Sequence, residues 1–427
     1  MPENEKCRVG VAQRKITPAI GAELGGYFHK RFAKDIKGDL LAKAMVIEAG
    51  GRRMALVASD LLRTCAEFAD PARARIASSC GIPPEAVMIS SSHTHTGPAL
   101  QKDKGNPVDP VPGCAETIAE AIVNATQDAC GAMFDATLYL GQTEAKQYSM
   151  NKLSRTRDGM DVYRQPQPND AEVIGPAGPL DTSVQVLCAR DADKRIRALA
   201  VNFAAHPNSG GDSIWAEWPG EMALTLAAIY GKDVPCLFLQ GTSGDVDCRG
   251  IPRERIGRGI AGAAIMAIER EVKPAAPGPM DFRMRILKLP RLQKTAETDR
   301  IVNAIRNNPD ADYLEKSWPP RYDAWDPEPA EQAVPVQCLR MGDTALVGLP
   351  CEAFTSLGLE IKRYSPAQRT LVVTYANDHA GYMPPVEQAD RGGYGEWPFI
   401  SRRFIPQAAT MITNAAIRML HEMWAGK

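Results

Sequence analysis

Ser90-Ser91-Ser92-His93-Thr94-His95-Thr96-Gly97-Pro98, preceded by Ala86-Val87-Met88-Ile89, decides how the fold is read. The short apolar run reads as a buried strand. Three serines leave it, and Gly97-Pro98 turns the chain sharply. In α/β sheets, ligands gather at the carboxyl ends of strands, so two imidazoles just past such an end are well placed for a site. An extended i, i+2 pair directs both rings to one side, toward a shared centre. Two of the six histidines in the chain stand here. The plainer alternative is a polar loop whose side chains cap backbone groups.

Outward from this stretch, the same pattern recurs. Apolar runs end in polar, chemically capable residues: His206 after 196–203, Asp245 after 235–240, Glu352 after 344–347 and Tyr382 after 370–375. Runs 42–48 and 54–59 flank Gly50-Gly51, a hairpin signal. Helical spacing predicts helices over 68–80, 114–129, 220–230, 255–271, 293–306, 353–363 and 404–424. The expected class is therefore α/β (mixed α and β), with core β-sheets flanked by helices and a site at the strand C-terminal ends. Residues 154–180, including Gln165-Pro166-Gln167-Pro168-Asn169-Asp170, read as a loop-rich excursion. Residues 307–335, rich in proline, acids and aromatics, are expected to form a lid or an interface. No internal repeat is visible.

Composition narrows the function classes. Of 427 residues, 44% are hydrophobic and 24% charged, the profile of a soluble globular protein. A formal net charge of −1, without a long basic block, argues against nucleic acid as a partner. No run of 18 apolar residues appears, so no membrane span is expected. The N-terminus lacks an apolar signal core. The ten cysteines are scattered without a CxxC pair and read as reduced thiols. A cytoplasmic protein acting on a small molecule is expected.

His93, His206 and Glu352 offer the nitrogen and oxygen donors that suit Zn²⁺. Two neutral imidazoles and one carboxylate leave a net positive ion able to acidify water toward neutral pH. Taken singly, His206 also fits a satisfied core histidine, and Glu352 a carboxylate at a helix N-terminus.

The motifs 91–98, Asn202-Phe203-Ala204-Ala205-His206, Gly244-Asp245-Val246, Gly348-Leu349-Pro350-Cys351-Glu352 and Ala376-Asn377-Asp378-His379-Ala380-Gly381-Tyr382 follow one another in the chain. With residues 9–27, carrying Ile16-Thr17-Pro18 and Gly25-Gly26-Tyr27, they resemble the catalytic domain of the neutral (non-lysosomal) ceramidase family. The resemblance implies a zinc ion held by His93, His206, Glu352 and Tyr382. It gives His95 the substrate carbonyl oxygen and places Tyr394 as a further active-site tyrosine. Two positions depart from the family pattern: Asp247 stands where a serine is usual, and Lys152 where an arginine is usual. Lys152 would serve both catalysis and substrate binding, with Asp247 and Asp245 also on the substrate side. One catalytic-type domain over 1–427 is expected, without the family's C-terminal immunoglobulin-like domain. The implied function is zinc-dependent hydrolysis of an amide, or an ester, on a small polar or N-acylated substrate, by water activated at the metal. The alternatives are a metal-dependent lyase or isomerase on a sugar-like compound, and a non-catalytic metal-stabilised binding protein.

Overall fold

The computed structural model describes residues 7–163, 172–208, 210–248, 250–270 and 272–425. The 165–170 run and residue 271, the end of one expected helix, lie outside the described residues. One sheet contains Cys7–Lys15 (β1), Leu41–Ala49 (β2), Arg52–Ser59 (β3), Val87–Ser91 (β4), Phe134–Glu144 (β5), Ser183–Arg190 (β6), Ile196–Phe203 (β7) and Cys236–Gln240 (β8). Its order in space is β8-β7-β6-β5-β1-β2-β3-β4, with the short strand Lys273–Pro274 also paired to β5. A second sheet runs Met280–Pro290 (β9), Glu331–Met341 (β10), Thr344–Gly348 (β11) and Arg369–Val373 (β12), in that order.

The predicted hairpin is β2–β3, closed by Gly50 and Gly51 at φ of 56° and 73°. A two-residue turn with both φ positive matches the twist of the strands it joins, and glycine adopts that conformation without steric cost. Helices Ala66–Cys80 and Cys114–Gly131 cover the β1–β4 half of the first sheet. Glu217–Tyr230 and Arg253–Glu269 cover the other half, and Ala408–Trp424 covers the second sheet. Ile76, Ile122, Ile260 and Ile412 are all fully buried at these contacts. Each such side chain contributes about 1.5–3 kcal/mol relative to exposure.

Within these two sheets three strand pairs are parallel: β3–β4, β7–β8 and β11–β12. Each is joined through a helix: Ala66–Cys80, Glu217–Tyr230 and Thr355–Tyr364 respectively. Parallel pairs need such crossovers, and these bring several carboxyl ends to one region. Strand β8 packs against β2, β3 and β4, so the first sheet curls until its two edges approach. The segment after β12 ties them together. Thr374 N–H donates to the Gln240 carbonyl at 2.8 Å, and Asn377 N–H to the Ile89 carbonyl at 2.7 Å.

Several expectations change. Strand β4 ends at Ser91, and His93 lies in the left-handed region at φ 68°. The two imidazoles therefore meet through a turn and not through extended i, i+2 geometry. Glu352 does not open a helix. It lies in the two-residue strand Glu352–Ala353, paired in parallel with Tyr382–Met383, and the helix begins at Thr355. Within 154–180, Ser154–Thr156, Asp161–Val162 and Val173–Pro176 form a small sheet. Within 307–335 are two short helices, Tyr313–Lys316 and Trp318–Asp323, and the start of β10. All ten cysteines are free. Among the described residues, no helix is long and apolar enough to cross a membrane.

Candidate metal centre

Four imidazoles converge at the carboxyl ends of β4, β7 and β12. His93 and His95 follow β4, His206 follows β7, and His379 lies beyond β12. All four are buried. Each of the first three is oriented by a backbone carbonyl. His93 Nδ1 lies 2.7 Å from the Leu62 oxygen, His95 Nδ1 3.1 Å from that of Gly26, and His206 Nδ1 2.7 Å from that of Ser243. A carbonyl only accepts, so each Nδ1 carries the proton and each Nε2 is left as a lone pair. This is the arrangement that fixes the tautomer of a metal-ligating histidine.

The lone pairs face one another. His93 Nε2 and His95 Nε2 are 3.2 Å apart, and Glu352 Oε2 lies 3.5 Å from both His93 Nε2 and His206 Nε2. Tyr382 Oη is 3.4 Å from His206 Nε2. Candidate ligand atoms of His93, His95 and His206 all lie within 4.8 Å of one another. Such a concentration of buried acceptors suits a cation, and this three-histidine cluster is capable of coordinating a metal ion. Burial lowers the imidazole pKa values: His93 lies well below the ordinary range, and His95 falls to about 3 with His206 adding repulsion. Burial opposes ionisation of Glu352, yet its carboxyl lies well below the usual carboxylate range, with His379 Nε2 at 3.1 Å as a hydrogen-bond partner.

Backbone strain is concentrated here. His93, Glu217, Tyr375 and Asn377 all have positive φ, at 68°, 53°, 54° and 68°. Each such residue costs on the order of 1 kcal/mol or more. The surroundings fix them. Glu217 accepts from His95 N–H at 3.0 Å, and Asn377 Oδ1 accepts from Ile89 N–H at 3.1 Å and Arg73 Nη2 at 2.8 Å. Gly26 is required for a different reason. At φ 98°, a Cβ there would sit 2.6 Å from His95 Nδ1.

Two functional neighbours were not assigned roles from the sequence. His379 Nε2 is 3.1 Å from Glu352 Oε1, and Tyr375 Oη donates to Glu352 Oε2 at 3.3 Å. Tyr375 also stacks on His93 with centroids 4.1 Å apart. The position of His379, three residues before Tyr382 in a quoted motif, was the signal available for it.

Among the other predicted residues, Lys152 is buried, with Nζ 3.4 Å from Tyr382 Oη and over the rings of Tyr382 and Tyr394. Pairing of Asn151 with Val246 and Met150 with Asp247 brings the Lys152 and Asp247 segments together. Tyr394 packs edge-on against Tyr382 at 5.4 Å. Two cavities meet at the cluster. One, of about 270 Å³, is lined by His93, His95, Glu352, Tyr382 and Tyr394. The other, of about 100 Å³, is lined by His95, Lys152, His206, Asp247, Tyr382 and Tyr394.

Asp245 lines neither cavity. It is almost fully buried and accepts from Thr355 N–H at 2.7 Å, Thr355 Oγ1 at 2.9 Å and Asn151 Nδ2 at 2.8 Å. The Asp245 carboxylate joins the Asn151 and Thr355 segments.

No protein-family model matches the chain, and no curated protein matches it in sequence. Solved structures match it in fold. A ceramidase complexed with C2 superposes with a TM-score of 0.77 at 17% identity, covering 98% of this chain and 75% of that one. The neutral ceramidase from Pseudomonas aeruginosa gives 0.76 at 18% identity, covering 97% and 74%. The likeness is one of fold. At this identity it extends to the mixed α/β architecture over most of the chain, and not to activity or substrate.

Proposed function

We propose that this protein is a zinc-dependent hydrolase of an amide, or an ester, on a small polar or N-acylated substrate. The observation that carries the reading is the convergence of two carbonyl-oriented imidazoles, His93 and His206, on the buried Glu352 carboxylate, with a third, His95, beside His93. In this reading His93, His206, Glu352 and Tyr382 hold the zinc. A bound zinc ion supplies Lewis acidity, polarising a carbonyl and lowering the pKa of water.

The chain's own residues divide the remaining work. His95, with its proton on Nδ1, presents Nε2 as an acceptor, so it takes a proton from the attacking water. It then returns that proton from Nε2 to the carbonyl oxygen or the leaving group. The resemblance had His95 simply binding the carbonyl oxygen. The Gly26 contact supports proton acceptance first and donation second. Tyr394 Oη and Lys152 Nζ are the donors that stabilise negative charge developing on that oxygen. Asp247 and Lys152 line the smaller cavity and contact the substrate there. Asp245 positions Lys152, whose backbone N–H donates to the Asp245 carbonyl at 2.8 Å.

Hydrolysis of a panel of N-acyl compounds in ¹⁸O-labelled water tests the reading. It predicts one labelled oxygen in the carboxylic acid product and loss of turnover in His93→Ala. A lyase or isomerase on a sugar-like compound would use the same polar-walled cavity but leave product unlabelled. A non-catalytic metal-stabilised binding protein would turn over nothing in the panel.

A further inference from the structure

Arg321 stands out in the larger cavity. It belongs to the short helix Trp318–Asp323, is 7% exposed, and lines the cavity that also contains His93, Glu352 and Tyr382. Its guanidinium lies over the Phe28 ring, with Cζ 4.1 Å from the centroid. Among the described residues, its side chain makes no hydrogen bond and no ion pair. A guanidinium fork that no protein group occupies is free to grip an anion, and this one opens onto space large enough for a small molecule.

The nearby carboxylate is already engaged. Asp103 accepts from Arg63 Nη1 and Nη2, at 3.1 and 2.7 Å, and from Arg403 Nη2 at 3.0 Å. Arg63 and Arg403 thus occupy the Asp103 carboxylate, and Arg321 beside them adds a positive charge that it does not pair. Asp326 and Glu328 also line this cavity, but Asp326 faces Lys104 at 3.7 Å and neither forms an ion pair with Arg321. Burial lowers the Arg321 pKa to about 10, with Asp103 opposing and Arg403 and Arg63 adding repulsion. It is therefore charged at neutral pH.

We propose that Arg321, flanked by Arg63 and Arg403, is a subsite for an anionic oxygen group, a carboxylate or a phosphate, carried by the substrate. A planar guanidinium fork matches both groups. Resting on the hydrolase reading, this narrows the substrate to an acyl compound with a negative charge away from the scissile bond, such as an acylated amino acid. Arg321 is an anchor and not a catalytic residue. Its loss therefore weakens binding more than turnover.

Two measurements separate this proposal from the hydrolase reading. The first uses metal-free protein and follows its Tm against acetate and inorganic phosphate at constant ionic strength. At least one anion raises the wild-type Tm, Arg321→Met abolishes the shift, and Arg321→Lys retains part of it. The anion giving the larger shift identifies the group. Arg321→Met preserves the apolar stem over Phe28, and the lysine variant controls for a folding defect.

The second compares N-acyl amino acids with their neutral carboxamides. The acid is preferred, and Arg321→Met raises its KM about 10- to 100-fold, as expected for losing a charged hydrogen bond. Its kcat and the carboxamide KM stay near wild type. No anion-dependent shift in the wild type, or an equal shift in Arg321→Met, overturns the subsite even if amides are cleaved. Anion binding without cleavage of any acyl compound upholds the subsite and rejects the hydrolase reading.

Discussion

Glu352 and Tyr382 are register partners in a two-residue parallel pairing, with Glu352 N–H also donating to the Gly381 carbonyl at 2.9 Å. The pairing carries a carboxylate and a phenol from separate strands to the same level of the cluster. It also explains why Tyr375 and His379, on the segment leading into Tyr382, reach the Glu352 oxygens. Removing either should leave the carboxylate free to rotate. Tyr375→Phe and His379→Gln are each expected to weaken zinc binding about 10- to 100-fold, the usual effect of losing a group that orients a ligand. Competition with a chelator of known affinity measures this. Unchanged affinity in both variants would show that Glu352 needs no such support.

His95 and His206 should separate metal binding from turnover. His95→Ala is expected to retain zinc and to lose about 10²- to 10⁴-fold in kcat, the range for a general base. Loss of zinc along with activity in this variant would instead make His95 a ligand, as its position 3.2 Å from His93 Nε2 permits.

Gly26→Ala brings a methyl group to within 2.6 Å of the His95 ring at a backbone φ of 98°. Strain of this kind costs about 1–3 kcal/mol. A lower Tm and a fall in kcat are expected together, because the ring must shift. Metal content should be unchanged.

Glu396 gives stability a pH dependence. Burial, with Asp161 adding repulsion, pushes its carboxyl up to about 8. The folded state therefore binds a proton that the unfolded state, with an ordinary value of 4.5, releases earlier. This stabilisation is complete below the unfolded value and is lost as pH rises through the folded one. Glu396→Gln should keep an acceptor for Gly393 N–H, now 2.9 Å from Oε2, while removing the titration. Its Tm should exceed that of wild type at about pH 9 and match it near pH 4, following the linkage sign. Parallel pH profiles in the two proteins would refute the assignment.

Strand runs, the Gly50-Gly51 hairpin and most helices were legible because each is set by local periodicity or turn chemistry. The positions past the strand ends were legible for a related reason: parallel crossovers place such residues on one side of a sheet. Left-handed backbone at His93, Tyr375 and Asn377 was not legible, since no glycine marks it and only tertiary hydrogen bonds fix it. The short Glu352–Tyr382 pairing also escaped, because two-residue strands carry no period. Arg321 lies in a proline-rich stretch whose sequence does not single it out. Its significance comes from burial and from Asp103 being taken by other arginines, which are relationships between distant parts of the chain.

The central claim is tested most directly by metal content. Wild-type protein and His206→Ala should be purified alike, reconstituted with zinc, freed of loosely bound ions, and measured by mass spectrometry. About one zinc per chain in the wild type, absent from His206→Ala, is the result predicted for a zinc site with His206 as a ligand. No zinc in the wild type, or equal zinc in both proteins, would contradict it.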